Sequence, residues 1–270
     1  MLDCPRCCAW GAPGCGRKLP PMATHSGLHN FAPISIGEIR ARCSSCSVRE
    51  LCLPVGVDRE GLDQINALVA ERVQLKKGER LYRTGDPFKA LHAIRVGSCK
   101  TAVLGERGHE QVAGYHMVGD IVGMDGIGTD RHGGEAVALE DTEACVLPFD
   151  RLEELARDVV PLQHNLHKVL STEIAREQDL MLLLGSMRAE ERVAVFLLNL
   201  SKRYQERGYS ATKFVLRLSR AEIGSYLGLK LETVSRLLSR FQDERLLRVR
   251  GRAIELLDVL ALERLITRRS

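Results

Sequence analysis

The sequence predicts an α+β protein in three parts: a body of short β-strands, one long helix, and a C-terminal helix-turn-helix backed by a basic hairpin. Three observations carry this. Between Val73 and Phe149, short β-type runs such as VQLKKGERLYRTGD and EAVALEDTEACVLPF alternate with turn signals, the mark of a β-barrel or jelly roll. From Pro161 to about Gly185, apolar residues recur at helical spacing. A serine cap, a glycine break and a polar-faced second helix then follow between Leu218 and Leu247.

In chain order, residues 1–42 read as a tail rich in Gly, Pro, Cys and Arg without sustained periodicity. Met22 opens a more ordinary stretch, so the reading frame starts at Met1 or Met22. Cys4, Cys7, Cys8 and Cys15 in the tail have no neighbours suited to support a metal site, and the expectation is that they bind nothing. Residues 43–150 are expected to form a cysteine-bearing segment and the strand body, 151–186 a helical connection, and 187–270 the terminal domain. A short amphipathic helix is predicted over 58–72, with Leu62, Ile65, Leu68 and Val69 on one stripe.

The long helix places Leu162, Leu166, Leu170, Ile174, Met181 and Leu184 on one face, with Pro161 at its start. The stripe resembles a two-helix dimer seam, with packing on the chain's own strand body as the alternative. Leu166, Leu170, Ile174, Glu177 and Met181 are the candidate seam residues. Glu177 interrupts the stripe, and in a parallel homodimer it would oppose its own copy, where like charges repel.

In the terminal domain, Ser219 and Glu222 form a capping box, Gly228 supplies the corner, and the second helix runs from Leu231 to Phe241. Val234, Leu237 and Leu238 face inward, while Glu232, Ser235 and Arg236, then Ser239 and Arg240, face out. Arg236 suits a bidentate contact to guanine and Glu232 an acceptor role toward cytosine. RLLRVRGRAIELL reads as two strands turning at Gly251, a wing whose Arg248, Arg250 and Arg252 suit phosphates. Residues 211–270 hold 13 Lys/Arg against 7 Asp/Glu, a basic balance that fits a polyanion partner. Double-stranded DNA is the expected one.

Cys43, Cys46 and Cys52 make C-x2-C-x5-C. Three thiols are an incomplete set for a zinc tetrahedron or a cubane iron–sulfur cluster. From the residues alone the metal stays open, and Cys145, a strand cysteine, is equally well a buried inert thiol. No apolar run approaches a membrane span and no secretory leader is visible, so a cytoplasmic location with reduced thiols is expected. Radical-SAM spacing and P-loops are missing, which argues against an enzyme.

C-x2-C-x5-C, a fourth cysteine at the end of the strand body, and GSYLGLKLETVSRLLSRFQ together resemble the CRP/FNR superfamily of bacterial transcription regulators. The likeness covers about residues 40–265 and is nearest the FNR branch, including Anr-type proteins, whose members sense oxygen through a [4Fe–4S] cluster. The resemblance implies an N-terminal β-roll sensor domain of the cyclic-nucleotide-binding kind, a long dimerisation helix and a winged helix-turn-helix. It implies Cys43, Cys46, Cys52 and Cys145 as cluster ligands, and Glu232, Ser235 and Arg236 as readers of a TTGAT…ATCAA palindrome in anaerobic-metabolism promoters. A homodimer and RNA polymerase are the further partners implied. Gly108 and His109 fall in the hairpin that contacts polymerase in this family, with His109 where an acidic residue is expected. Lys230 replaces the usual threonine before the recognition helix and so forfeits a side-chain cap. The cyclic-phosphate grip is altered: Gly119-Asp120-Ile121 stands for G-E-L, and Arg131 is followed by His132 rather than serine, so no cyclic nucleotide is expected. A haem sensor has no positive sign among the histidines, and a structural zinc or another redox signal is the alternative.

Overall fold

The computed structural model describes Cys46, Cys52 and residues 57–69, 71–105 and 110–267. Helix α1 (Arg59–Leu68) is capped by Asp58, whose carboxylate accepts from the Gly61 amide at 2.8 Å. It ends earlier than its apolar stripe predicts, because Glu71–Leu75 is the first strand, β1.

The strands β2 (Arg80–Tyr82), β3 (Ala90–Val96), β4 (Ser98–Leu104), β5 (Glu110–Met117), β6 (Ile121–Val122), β7 (Glu135–Ala138) and β8 (Thr142–Pro148) complete the body. They form two antiparallel four-stranded sheets, ordered β1-β8-β3-β6 and β2-β7-β4-β5. Alternation sets what faces inward: Ile94, Cys99, Val122, Ala136 and Ala144 are almost fully buried between the sheets. Cys99 is thus a core residue, as expected, and burial pushes its thiol up to about 12. The tight β3–β4 turn depends on Gly97, at φ +84°, where a Cβ would lie 2.6 Å from the Asp141 carbonyl oxygen.

Helix α2 (Phe149–Asp158) leads into α3 (Val160–Ser186), the long helix, with Pro161 in its first turn. Leu162 and the half-buried Leu166 pack with Ile65, Leu68, Leu91 and Leu152 on the sensor's own core. The stripe therefore divides. Its first turns use the chain's own body, whereas Ile174 (56% exposed) and Met181 (65% exposed) are left largely uncovered.

Helix α4 (Ala189–Glu206) and strand β9 (Lys213–Val215) begin the terminal domain. Helix α5 (Arg220–Leu227) and helix α6 (Leu231–Asp243) follow, then the hairpin β10 (Leu247–Arg250) and β11 (Ala253–Leu256), and α7 (Val259–Thr267). The sequence reading had not resolved β9 or α7. The terminal core is continuous with the sensor: Tyr115, Met117 and Leu139 of the strand body share one buried cluster with Phe196, Leu197, Ile223, Leu227 and Phe241.

Candidate sensor site and nucleic-acid interface

Helix α5 starts where the capping box places it. Ser219 Oγ accepts from the Glu222 amide at 3.2 Å, and the Ser219 amide donates to the Glu222 carboxylate at 2.7 Å. It ends at Gly228 with φ +63°, where the Leu229 amide donates to the Gly224 carbonyl at 2.8 Å. Gly224 is a second requirement of the corner that the sequence reading missed, since a Cβ there would meet the Leu229 carbonyl oxygen at 2.5 Å.

Helix α6 begins at Lys230 without a side-chain cap. Val234, Leu237, Leu238 and Phe241 are buried beneath it, leaving Glu232 and Arg236 exposed and Ser235 half-buried. No ion pair joins Glu232 to Arg236 among the described residues, so the exposed face is not closed on itself. Arg240 differs from expectation: it is held by Glu190 at 2.7 Å and Glu244 at 2.7 Å. In the wing, Gly251 turns at φ +62°, Arg248 is paired with Glu255 at 2.7 Å, and Arg252 donates to the Arg217 carbonyl at 3.1 Å. Arg250 is exposed without such a partner among the described residues, so it is the wing cation best placed for a phosphate.

On the sensor, Cys145 lies on β8 between Arg72 of β1 and Ala93 of β3. It is half-buried on the outer face of its sheet, because its neighbour Ala144 points inward. Cys46 lies within electrostatic reach of both Arg95 and Cys145. Burial pushes the Cys145 thiol up, Arg72 and Arg95 oppose that, and Cys46 and Glu143 add to it. Glu143 accepts from Arg95 at 2.8 Å and from Arg72 at 3.0 Å. Cys52 is placed elsewhere along the segment, at the foot of α3, where its carbonyl accepts from Asn165 Nδ2 at 3.5 Å.

Two of the four expected ligands, Cys46 and Cys145, are thus brought together, and Cys43 lies outside the described residues. No three His, Cys, Asp or Glu side chains gather around a common point among the described residues. The donor chemistry suits a thiolate-bound, negatively charged group nonetheless. Two guanidinia flank the paired thiols, and Arg95 Nε is buried without an acceptor among the described residues. A bound metal removes the thiol protons that burial favours.

The strand body also encloses a cavity of about 420 Å³, open toward α3 at Leu170, Ile174 and Glu177. His116, Thr101 and Asp125 line it, with no lysine or arginine among the described residues of its walls. Arg131 instead donates to the Gly85 carbonyl at 2.8 Å on the outer surface.

Residues 72–158 match the cyclic nucleotide-binding domain, and residues 191–265 match the Crp-like helix-turn-helix domain. The transcriptional regulatory protein btr of Bordetella pertussis is 44% identical over 230 residues, covering 85% of this chain and 95% of its own. The chain belongs to the CRP/FNR family of transcription regulators. The transcriptional activator protein Anr of Pseudomonas protegens is likewise 44% identical, over 83% of this chain and 91% of its own. The fumarate and nitrate reduction regulatory protein of Escherichia coli is 41% identical, over 82% and 88%. FixK2 from Bradyrhizobium japonicum superimposes with a TM-score of 0.67 at 32% identity, covering 72% of this chain and 96% of that one. In this CRP/FNR family member, the β-sandwich sensor and the winged helix-turn-helix accordingly form a DNA-binding regulator. Among the described residues, no helix is long and apolar enough to cross a membrane.

Several residues that build the site were not singled out from sequence. Arg192 ties the end of α3 to the reading unit, donating to the carbonyls of Leu184 at 2.6 Å, Met187 at 3.0 Å and Leu227 at 3.0 Å. Asp120, Arg203 and Arg207 form a buried ion cluster between sensor and reader. The i,i+4 spacing of Arg203 and Arg207 was the available signal, though it equally describes a solvated face.

Proposed function

We propose that this regulator responds to oxygen through a [4Fe–4S] cluster held by Cys43, Cys46, Cys52 and Cys145. In this reading the cluster governs a homodimer that binds a TTGAT…ATCAA-like palindrome and regulates anaerobic-metabolism genes. The observation that carries it is that Cys46 and Cys145 lie within electrostatic reach of each other and of Arg95, with Arg72 opposite Cys145 on the neighbouring strand. The names of the Anr and fumarate and nitrate reduction relatives support the same branch. The protein acts in the cytoplasm, with RNA polymerase as its partner at the promoter.

When bound, such a cluster supplies an oxygen-labile tie among four thiolates. The chain's own residues do the rest. With the tie in place, Cys46 would stay near Cys145 of β8 and Cys52 against Asn165, so that α3 keeps one orientation. Leu170, Ile174 and Met181 then meet their copies across a two-fold axis, Leu166 being taken up by the chain's own core, and that burial outweighs the opposed Glu177 carboxylates. Glu232, Ser235 and Arg236 of each protomer enter successive major grooves, about one helical turn apart. A coupling of about 3 kcal/mol between the tie and the seam changes affinity roughly 150-fold.

The test is sedimentation and operator binding of anaerobically prepared protein before and after exposure to air. The wild type passes from a binding dimer to a weakly binding monomer. Cys145→Ala and Cys43→Ala stay in the latter state throughout. Tight operator binding in air by either variant contradicts the proposal.

A further inference from the structure

The turn between β5 and β6 carries Asp120, which is 7% exposed and surrounded by cations from two helices. Arg203 Nη2 donates to Oδ2 at 2.5 Å, and Arg207 Nη2 donates to Oδ1 at 2.8 Å, both from α4. Arg176 of α3 reaches Oδ1 at 3.4 Å, and the Met117 amide donates to Oδ2 at 2.7 Å. Arg207 also grips the turn's backbone, its Nε donating to the Val118 carbonyl at 2.7 Å. Burial alone would raise the Asp120 carboxyl, but Arg203, Arg207 and Arg176 outweigh it and hold the group ionised.

The turn is itself fixed to the sensor. The Ile94 amide donates to the Asp120 carbonyl at 2.9 Å, and the Gly119 amide to the Ile94 carbonyl at 2.8 Å. Ile94 is the chain neighbour of Arg95, whose guanidinium lies within electrostatic reach of Cys46. A second joint lies on the hairpin β4–β5. Lys100 bridges Glu110 and Glu222, the latter at 3.0 Å, while Ser225 Oγ accepts from the Val112 amide at 2.9 Å and donates to the Glu110 carbonyl at 3.2 Å. Both joints leave Glu232 and Arg236 exposed, so the docked arrangement does not block the reading face.

A regulator that must place two reading units on one duplex gains most from simultaneous engagement when their separation is held at the spacing of the half-sites. We infer that Asp120 is a positioning residue: by gathering Arg176, Arg203 and Arg207 it locks the reading unit to the sensor and long helix, and so sets the half-site spacing the dimer accepts. This rests on the reading of the chain as a dimer on a two-half-site operator. It assigns Asp120 a role separate from ligand binding, at the position where the nucleotide-binding relatives carry a pocket glutamate.

The experiment measures full-length anaerobic protein by fluorescence anisotropy on three duplexes. One is the TTGAT…ATCAA palindrome, the second has two added base pairs between its halves, and the third is a single half-site. Asp120→Asn and the milder Arg207→Gln, which leaves Arg203 and Arg176 on the carboxylate, are compared with wild type. Both variants lose about tenfold or more on the correctly spaced palindrome, keep half-site affinity within about twofold, and show a smaller penalty for the added base pairs. Unchanged palindrome affinity and spacing penalty in Arg207→Gln and Asp120→Asn overturn the inference. A parallel loss on the half-site overturns it too, because that assigns the cluster to folding of the reader. Wild-type protein that binds the palindrome no better than the half-site overturns the operator reading itself, and this inference with it.

Discussion

Replacing Gly224 by alanine pits two local effects against each other, and the structure decides which prevails. Gly224 lies inside helix α5, where alanine is favoured over glycine by about 1 kcal/mol. Against that, the new Cβ would stand 2.5 Å from the Leu229 carbonyl oxygen, 3.4 Å from its carbon and 3.5 Å from the Leu231 nitrogen. These are backbone atoms of the corner, which no rotamer change can move. The corner must open by several tenths of an ångström, and the 2.8 Å bond from the Leu229 amide to the Gly224 carbonyl must stretch with it. Overpacking of this kind costs about 1–3 kcal/mol, so the net expectation after the propensity gain is subtracted is a loss of about 0–2 kcal/mol, toward the upper end because the atoms met are backbone. Because Leu231 opens the recognition helix, the same opening tilts Glu232 and Arg236. Denaturant unfolding should show the lower midpoint, and operator titration a weaker complex. A Gly224→Ala protein that is more stable than wild type, with unchanged operator affinity, would refute the steric argument.

Other expectations follow from the same geometry. Burial pushes His116 down to about 4, and burial with the neighbouring His132 does the same to His92. The unfolded chain therefore takes up protons at these sites first, and stability falls as pH drops from about 6.5 toward 4, by up to about 3 kcal/mol per histidine. Asp120, held below its ordinary value against the pull of burial by its arginines, adds a loss only at still lower pH, through the carboxylate range. Unfolding curves at pH 7, 6 and 5 read the histidine window, and a flat profile there would remove both groups from the account. Arg236→Ala should cost about 1–3 kcal/mol on the operator and relax preference at one base position. Arg250→Ala should weaken all sequences alike and reduce the salt slope by about 1; the reverse pattern would exchange their roles. Glu177→Ala should raise the dimer fraction in air, and an unchanged sedimentation profile would remove Glu177 from the switch.

Local signals were legible in the sequence where short-range chemistry determines structure. Ser219, Glu222 and Gly228 specify the start and end of α5 within a few residues of chain, and the structure has both. The alternation from Val73 to Phe149 sufficed for a strand body, and the family likeness narrowed it to the β-roll. What could not be read depended on tertiary approach. Gly224 looks like any helical glycine until Leu229 is brought over it. Asp120 read as part of an altered nucleotide pocket, whereas α3 and α4 deliver three guanidinia to it from residues 56 to 87 positions away. The apolar stripe on α3 was ambiguous for a physical reason: one helix serves its own core at Leu162 and Leu166 and leaves Ile174 and Met181 uncovered. For the cysteines, spacing and the family likeness named four residues. Folding brings two of the described ones, Cys46 and Cys145, within electrostatic reach of each other, and stations Cys52 at the foot of α3.

The central claim is that these cysteines hold an iron–sulfur cluster, and it is tested most directly by iron and acid-labile sulfide analysis with an absorption spectrum on anaerobically purified protein. A cluster-bearing chain is brown with about four irons and about four sulfides, bleaches in air, and loses all of this in Cys145→Ala. Colourless protein carrying about one zinc per chain, unchanged by air, would contradict it.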